Sequence, residues 1–410
     1  MSMYATVLSG LLNACKQKLN YGSVITMNIG IFLGYEGKVA LSGEGIMRYA
    51  VRLAEGLLGV DANLKISVST NQENAAEVRE IFSQVAASFE DSIQINDFQD
   101  IKLIEERDID VWVVPYVGME LALKLRKPII VCLHDLVYIH FREGYYNIYP
   151  DFCRRIDYLA RAITEKAEMV VFSSEYVRDN EGLSYLKLPA DKVRLIRPAP
   201  ILREADLAKV TPESEFKVKY QLANRYIVYP SVIRLHKNHA RLIDAFLQFR
   251  RSAEGQGSEI ELAITDNYQT SPNCQEIASV LKRYPSEISA LVRFLGRLPS
   301  NDIPALYRYA SGTIIPTLFE GSCPFPIFES LAMDTPVAFG RIPVVTEVIE
   351  STAHLITFDP YSTASIKEAI AALQLGSGHI SQQKAAFSGF LKRSWQEVAK
   401  EYLQAIYSRS

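Results

Sequence analysis

The sequence predicts an α/β protein of two domains, each built on a parallel β-sheet. The chain has 410 residues, which is long for one hydrophobic core, so two domains of about 200 residues each are expected. Short apolar runs rich in β-branched residues alternate with longer helical patterns, as is typical of parallel strands that are buried on both faces. A composition of 48% hydrophobic and 22% charged residues is that of a globular protein.

The predicted strands form two series. The first series is Asn28–Leu33, Leu64–Ser69, Asp110–Val114, Pro128–Leu133 and Met169–Ser173. The second series is Tyr226–Tyr229, Ile260–Ile264, Val292–Leu295, Thr313–Pro316 and Pro336–Phe339. Pro198, Pro200 and Pro212 punctuate the polar stretch between the two series. We therefore expect one domain over residues 27–205 and another over 206–390, with a helical extension at 1–26 and a last helix at 391–410.

Three interpretations of residues 1–26 stay open. Leu12-Asn13-Ala14-Cys15 faintly resembles a lipoprotein cleavage site, although Ser9-Gly10 interrupts the apolar stretch and no basic residue precedes it. Lys16 and Lys18 would suit a helix lying on a membrane surface, but two cations anchor weakly. The interpretation that needs the fewest assumptions is an appended helix or a frayed leader.

Charge, cysteine usage and hydropathy exclude several classes of function. The net charge of −3 and the absence of a run of Lys or Arg argue against a nucleic-acid partner. The five cysteines are widely spaced and form no CxxC pair for zinc, so a reducing cytoplasm is expected. No apolar run reaches the roughly 18 to 20 residues that cross a bilayer. At most, the chain would make a peripheral contact with the inner face of the cytoplasmic membrane.

Pro316–Ser330 combines a strand end, a loop and a helix start. Pro326 suits the first position of a helix, because the N–H group that it lacks would be unsatisfied there anyway, so a helix is expected to begin near Pro326. Free N–H groups and the positive helix end predict a phosphate site at this turn. Glu320 and Glu329 flank the turn, and carboxylates accept hydrogen bonds from sugar hydroxyls. Alternatively, Glu320 is an ordinary turn residue and Glu329 a solvated helix residue.

This segment resembles the Glu-x7-Glu motif of glycosyltransferase family 4, whose members are retaining enzymes of the GT-B fold. Here the two acids lie one position further apart, and because Pro326 keeps the family's spacing to the second acid, the extra residue falls in the loop. Ser322 and Cys323 stand where the family has a second glycine beside the donor diphosphate. The resemblance implies that Glu320 orients sugar hydroxyls, that Glu329 holds the ribose, and that Ser322 and Cys323 lie against the donor.

Tyr229–His239 resembles the donor-diphosphate loop of the same family, in the His-Lys-Asn-His form of its mannosyltransferase-like members. The compact charge of Lys237 suits an oxygen shared between two phosphates. Ser231 and Arg234 are further candidate donor contacts. Val232 stands where the family usually has an Arg, so either Arg234 takes over that contact or the contact is lost. Solvent exposure is the alternative for any single loop lysine.

The first half adds two candidate segments. Gly43 and Gly45 precede Arg48 and resemble the glycine-rich loop that closes over donor and acceptor; a plain glycine turn is the alternative. The pattern fails as a dinucleotide fingerprint, because Arg48 replaces the third glycine. His134 lies at the carboxyl end of a predicted buried strand, which is where sites form in α/β domains, and it matches the family's acceptor-side His-Asp. A satisfied structural histidine is the alternative.

The resemblance extends from Met27 to the chain end, including Arg297 and Leu298, where the base packs, and a last helix that crosses back to the first domain. It implies transfer of a hexose or deoxyhexose, with mannose and GDP-mannose favoured, to a glycan or lipid-linked glycan acceptor in surface polysaccharide or lipopolysaccharide synthesis. His134, Glu320 and Lys237 would be catalytic, without metal or cofactor. Rival hypotheses are a phosphorylase or epimerase of the same fold, or a catalytically impaired glycan- or nucleotide-binding protein.

Overall fold

The computed structural model describes residues 27–39, 41, 45–104, 108–202, 210–271, 273–376 and 379–408. The expectations for residues 1–26 lie outside these residues, and so does the predicted domain boundary between residues 205 and 206.

Two parallel sheets form the centre of the molecule. The strands of the first are β1 (Asn28–Leu33), β2 (Lys65–Asn71), β3 (Ile93–Phe98), β4 (Val111–Val114), β5 (Ile129–Leu133), β6 (Met169–Phe172) and β7 (Val193–Leu195). Those of the second are β8 (Tyr226–Tyr229), β9 (Glu261–Ile264), β10 (Val292–Phe294), β11 (Gly312–Ile315), β12 (Val337–Gly340) and β13 (Ile356–Phe358). The spatial order is β3-β2-β1-β4-β5-β6-β7 in the first sheet and β10-β9-β8-β11-β12-β13 in the second.

Helices connect the strands. Those before residue 210 are α1 (Gly45–Val60), α2 (Ala75–Ser88), α3 (Val137–His140), α4 (Arg142–Ile148), α5 (Pro150–Lys166), α6 (Glu175–Val177) and a π-helix (Arg178–Tyr185). Those after it are α7 (Glu213–Tyr220), α8 (His239–Arg251), α9 (Ala253–Gln256), α10 (Cys274–Lys282), α11 (Ser286–Ser289), α12 (Ile303–Arg308), α13 (Phe325–Ala332), α14 (Pro343–Thr346), α15 (Thr363–Gln374), α16 (Ile380–Ala386), α17 (Ser388–Leu391) and α18 (Trp395–Tyr407). Short 3-10 turns lie at Gln72–Asn74, Ile101–Leu103, Glu120–Lys124, Ala190–Lys192, Leu235–Lys237, Tyr268–Thr270 and Ser300–Asp302.

The central strands form where apolar runs can be buried on both faces. Every residue of β4, β5, β6, β8 and β11 is buried. The two parallel sheets confirm the predicted α/β class, and the ten predicted strands are present with ends shifted by no more than two residues. The strands β3, β7 and β13 were not predicted. None of the helices in the described part of the chain is long and apolar enough to cross a bilayer.

The strand order reverses beside the first strand of each sheet. In the first sheet β1 pairs with both β2 and β4, and in the second β8 pairs with both β9 and β11. A crevice opens beyond the carboxyl ends of the strands at such a reversal, and ligands bind there in open parallel sheets. The loops that follow β8 and β11 therefore carry the first residues to consider as a site.

The last helix packs on the first domain, as the fold class predicted. A capping box starts α18, in which Ser394 Oγ accepts a hydrogen bond from the Glu397 amide and the Glu397 carboxylate accepts one from the Ser394 amide. The Trp395 indole donates to the Pro200 carbonyl at 2.9 Å. Contact with α1 is so close that a Cβ added to Gly56 would lie 2.3 Å from the Trp395 carbonyl oxygen.

Replacing Gly56 by alanine should loosen α18 from α1. The added methyl group must displace backbone, so we expect Gly56→Ala to lower the free energy of unfolding by about 1–3 kcal/mol. Gly59→Ala is the matched control, because an added Cβ there meets only the Gln396 side chain, at 3.6 Å. Its expected effect ranges from neutral to a gain of about 1 kcal/mol from helix propensity. Urea unfolding followed by tryptophan fluorescence measures both, and equal stability of the two variants would contradict the packing argument.

Candidate active site

The Lys237–Glu320 ion pair lies where the strand order of the second sheet reverses. Lys237 lies in the loop after β8 and Glu320 in the loop after β11, and these two strands are paired neighbours. The Lys237 Nζ atom is 2.5 Å from Glu320 Oε1, and each side chain is 17% exposed. Two residues that the sequence motifs selected independently are therefore in direct contact at the carboxyl ends of central strands.

The backbone at Lys237 is held by its neighbours. Asn238 takes a left-handed conformation with φ 62°, which asparagine tolerates better than most residues. Its side-chain amide donates to the carbonyl oxygens of Pro316 at 2.9 Å and Pro360 at 2.7 Å. The Tyr229 hydroxyl donates to the Lys237 carbonyl at 3.0 Å. The loop after β8 is thus fixed to the loop after β11, and Lys237 projects from a supported backbone.

The helix that the second motif predicted is α13, which begins at Phe325, one residue before Pro326. Pro326 occupies the second helical position, where an N–H group would also lack an intrahelical partner. Cys323, in the preceding loop, is 2% exposed and packs in the hydrophobic core. Burial raises the pKa of its thiol well above the usual range, so this side chain stays neutral. Ser322 beside it is half-buried.

Glu329 joins the two domains. This carboxylate is 5% exposed, and its Oε1 atom lies 2.6 Å from the guanidinium of Arg48 on α1. Its Oε2 atom accepts a hydrogen bond from the buried hydroxyl of Tyr307 at 2.7 Å. Arg48 had been noted beside the glycine-rich loop, whereas no sequence signal distinguished Tyr307 from an ordinary core aromatic. Both carboxylate oxygens of Glu329 therefore have a partner, and one of these partners, Arg48, belongs to the first domain.

His134 lies at the end of β5 and is a neutral imidazole. Burial lowers the pKa of His134 to about 4, with a nearby carbonyl of Pro115 acting in the opposite direction. Its Nδ1 atom is 3.3 Å from Ser173 Oγ, and its ring meets the Tyr49 ring edge-on at 5.0 Å. At neutral pH His134 can therefore orient a ligand by hydrogen bonding but does not contribute a positive charge.

The loops of the two domains meet at Gly321. A Cβ added there would lie 2.2 Å from the carbonyl oxygen of His134, so only glycine allows this approach. The Ser174 hydroxyl donates to the Gly321 carbonyl at 2.8 Å and accepts a hydrogen bond from the Val177 amide at 3.2 Å. The contact brings the backbone of His134 beside Gly321, the residue that follows Glu320. The three predicted catalytic residues, His134, Glu320 and Lys237, therefore lie around one contact between the two domains.

Glu347 is a second acid that connects the domains, and sequence analysis missed it. Its two carboxylate oxygens accept hydrogen bonds from the amides of Glu175 and Tyr176, each at 3.0 Å. Arg197 Nη2 lies 3.4 Å from one of the same oxygens. A carboxylate of the second domain therefore satisfies the N-terminal amides of a helix in the first.

Arg234 and Ser231 are the other residues predicted on the loop after β8. Arg234 is exposed, and Ser231 Oγ donates to the neighbouring Val232 carbonyl at 3.2 Å. Burial raises the pKa of Asp135, which follows His134, while the charges of Lys237 and Arg234 act to lower it. Asp135 and both cations therefore share one electrostatic environment, and Asp135 joins the candidate site.

The remaining predicted donor contacts lie on other segments of the chain. Arg297 is exposed, and Leu298 packs against the small apolar cluster that contains Tyr307. Gly45 is the exposed first residue of α1, with open space where a Cβ would be, and Gly43 lies outside the described residues. Among the residues that the structure describes, no group of three or more His, Cys, Asp or Glu side chains could hold a metal ion.

Comparisons with known proteins find a family match within the second domain and solved structures of the same fold. Residues 210–385 match the model of the family described as glycosyl transferases group 1. No curated protein sequence matches the chain. A glycosyltransferase from Rickettsia africae aligns with TM-score 0.65 and 15% identity, covering 94% of this chain and 98% of its own.

Two further solved structures align over similar lengths. HepE from Anabaena in complex with UDP and glucose has TM-score 0.64 and 15% identity, covering 93% of this chain and 100% of its own. Sucrose-phosphate synthase from Thermosynechococcus elongatus has TM-score 0.61 and 14% identity, covering 94% and 100%. At such identities the likeness shows the fold, and the GT-B architecture expected from the sequence is confirmed.

Buried histidines should make the fold sensitive to acid. Burial lowers the pKa of His239 to about 3, below the ordinary value near 6.5. Between these two pH values the unfolded chain holds one more proton at this residue than the folded chain does. As the pH is lowered through this range, this group therefore reduces the free energy of unfolding by about 1.4 kcal/mol per pH unit. We expect His239→Phe to remove that part of the slope between pH 6 and pH 4.5. Equal slopes in urea unfolding of wild type and variant would contradict the assignment.

Proposed function

We propose that this protein is a retaining glycosyltransferase that moves a hexose or deoxyhexose from a nucleoside-diphosphate sugar to an acceptor hydroxyl. The observation that carries the proposal is the Lys237–Glu320 pair, 2.5 Å apart, in which Glu320 lies in the loop before α13 and next to Gly321, whose backbone approaches that of His134. Such a donor carries a diphosphate and sugar hydroxyls. The cation and the helix start in this crevice suit the diphosphate and its linking oxygen, and the carboxylate suits the sugar hydroxyls.

The diphosphate would be held by positive charge and by helix-end amides. Lys237 now contacts Glu320, and a phosphate oxygen arriving between them would take over the ammonium group while leaving the carboxylate to sugar hydroxyls. Arg234 lies on the same loop and is the second candidate cation. Negative charge grows on the diphosphate as it departs, so preorganised donors of this kind act mainly on the transition state.

The transfer step needs no covalent bond to the protein. The bond between the sugar C1 atom and the diphosphate oxygen breaks, and the acceptor oxygen bonds to C1 on the face that the diphosphate leaves. The acceptor proton passes to the departing phosphate oxygen, so the configuration at C1 is retained. The neutral ring of His134 would orient the reacting sugar rather than supply charge, because burial holds its pKa near 4. Retention follows from the family resemblance.

Glu329 is assigned to the ribose. Its Oε1 atom now contacts Arg48 of the first domain at 2.6 Å, so ribose hydroxyls would compete with that guanidinium. Donor binding would therefore exchange a contact between domains for a contact with the ligand, and opening and closing of the crevice would accompany each turnover.

The sugar, the acceptor and the cellular place are narrower proposals. Mannose from GDP-mannose is favoured by the His-Lys-Asn-His form of the loop, whereas the Anabaena structure contains UDP and glucose. A glycan or lipid-linked glycan of a surface polysaccharide or lipopolysaccharide is the acceptor that the resemblance implies. Exposed Phe152 and Tyr158 on α5, at 53% and 64%, support a peripheral contact with the cytoplasmic membrane. Failure to sediment with anionic vesicles would contradict that contact.

A panel of nucleotides and acceptors tests the function. At a given concentration, a ligand that binds the folded protein more tightly raises the melting temperature more, so the nucleoside diphosphate that fits should raise it most. The matching sugar nucleotide should then release its nucleoside diphosphate only when an acceptor is added. Release without an acceptor would favour a hydrolase-like or phosphorylase-like reaction, and tight binding without any release would favour a binding protein.

Lys237→Ala should impair transfer by removing a preorganised cation. Loss of one such donor costs about 2 to 4 kcal/mol of transition-state stabilisation, which is a fall in kcat/KM of roughly 30-fold to 1000-fold. Lys282→Ala, at an exposed lysine of α10, is the control and should transfer as the wild type does. Equal turnover by the Lys237 and Lys282 variants would reject the role of Lys237.

A further inference from the structure

A π-helix follows directly after α6, over Arg178–Tyr185. Such helices are rare and occur often at functional sites, because the wider turn brings a side chain to a position that an α-helix cannot offer. The Leu186 amide bonds to the Glu181 carbonyl at 2.8 Å in the i to i+5 pattern. Gly182 allows the segment to lie against β6, since a Cβ there would be 2.4 Å from the Phe172 ring.

Glu181, in this π-helix, is fully buried, with 0% exposure. One carboxylate oxygen accepts a hydrogen bond from the Leu136 amide at 2.6 Å. The other lies 2.8 Å from Nε2 of His140. An isolated buried charge is costly, so the contacts of this carboxylate must replace the water that it has lost.

Both partners of Glu181 belong to the segment that contains His134. Leu136 follows His134 and Asp135 at the end of β5, and the Asp135 carboxylate itself accepts a hydrogen bond from the Val137 amide at 3.1 Å. Two acids therefore hold the turn after β5, namely Asp135, which belongs to the turn itself, and Glu181, which belongs to the π-helix.

His140 extends the connection to the second domain. Its ring stacks on Phe319, with centroids 4.3 Å apart and planes at 28°. Phe319 immediately precedes Glu320 and is 5% exposed. One buried carboxylate therefore connects the turn that carries His134 with the loop that carries Glu320.

The Glu181–His140 pair carries little net charge. Burial raises the pKa of Glu181 well above its usual range, with the nearby Asp135 charge acting in the same direction. Burial also lowers the pKa of His140. A protonated Glu181 can donate to a neutral His140 ring while its other oxygen still accepts from Leu136. Glutamine reproduces this arrangement, because its amide donates and its carbonyl accepts.

We propose that Glu181 is a positioning residue for transfer, which holds the turn after β5 through Leu136 and sets it against the donor loop through His140 and Phe319. This inference rests on the proposed function. Glu181 touches no substrate in this assignment. It acts by keeping His134 and the acceptor side of the crevice in register with Glu320, and displacement of reacting groups by about 1 Å can cost a hundredfold in rate.

Three variants test the proposal. We expect Glu181→Ala to lower kcat for transfer by roughly tenfold to a hundredfold while leaving the dissociation constant of the nucleoside diphosphate close to wild type, because Lys237 and α13 are untouched. Glu181→Gln should restore most of kcat, because it keeps both hydrogen bonds. Asp179→Asn is the control in the same π-helix and should transfer as wild type does, since among the described residues Asp179 bonds only to its neighbour Arg178.

Two results would overturn the proposal. One is wild-type kcat in Glu181→Ala, and the other is an equal loss in Glu181→Ala and Glu181→Gln, which would indicate a requirement for the carboxylate charge. If the alanine variant does not fold, His140→Phe keeps a ring on Phe319 and removes the bond to Glu181, and it should lower kcat in the same sense.

A readout independent of catalysis separates this proposal from the proposed function. Hydrogen exchange at the Leu136 amide should accelerate in Glu181→Ala and stay slow in Glu181→Gln. Unchanged exchange in the alanine variant refutes the role of Glu181 whatever the activity. A wild type that transfers no sugar from any donor refutes the proposed function, whatever the exchange result.

Discussion

The close approach of Gly321 to the His134 carbonyl determines how the two domains meet. A side chain at residue 321 would need the space that this carbonyl occupies, 2.2 Å from an added Cβ. With glycine there, the loop after β11 can lie against the turn after β5, and Ser174 completes the contact by donating to the Gly321 carbonyl. The position of Glu320 relative to His134, and hence the shape of the crevice, depends on this backbone contact.

Charge pairing then decides what the crevice can bind. Glu320 and Glu329 are each paired with a cation, Lys237 and Arg48 respectively, so neither acid carries an uncompensated charge. In the proposed function, the diphosphate brings its own negative charge and can replace a carboxylate as the partner of Lys237. The sugar and the ribose bring hydroxyls, which can donate hydrogen bonds to the carboxylates that are released. An anion rich in hydroxyl groups satisfies both sets of groups together, whereas a simple anion that took over Lys237 would leave Glu320 without that cation.

Sequence patterns located what depends on local order and missed what depends on distant contacts. Apolar runs identified the central strands, whereas β3 has exposed positions and leaves no such run. Motif spacing found Lys237, Glu320 and Glu329 because each belongs to a segment in which a recognisable strand, loop and helix follow one another. The partners of buried acids left no signal, since Glu181 bonds to a residue 45 positions away and Glu347 to one 172 positions away.

The last helix also acts on the crevice, through α1. The Tyr402 hydroxyl on α18 lies 2.8 Å from that of Tyr49 and 3.0 Å from the Cys132 sulfur, and Tyr49 in turn contacts the His134 ring. Arg48, the neighbour of Tyr49 on α1, pairs with Glu329 of the second domain. A shift of α18 would therefore move two adjacent residues of α1, of which Tyr49 contacts His134 and Arg48 contacts Glu329. The chain end and the crevice are mechanically connected, which explains why a helix so distant in sequence belongs to the working fold.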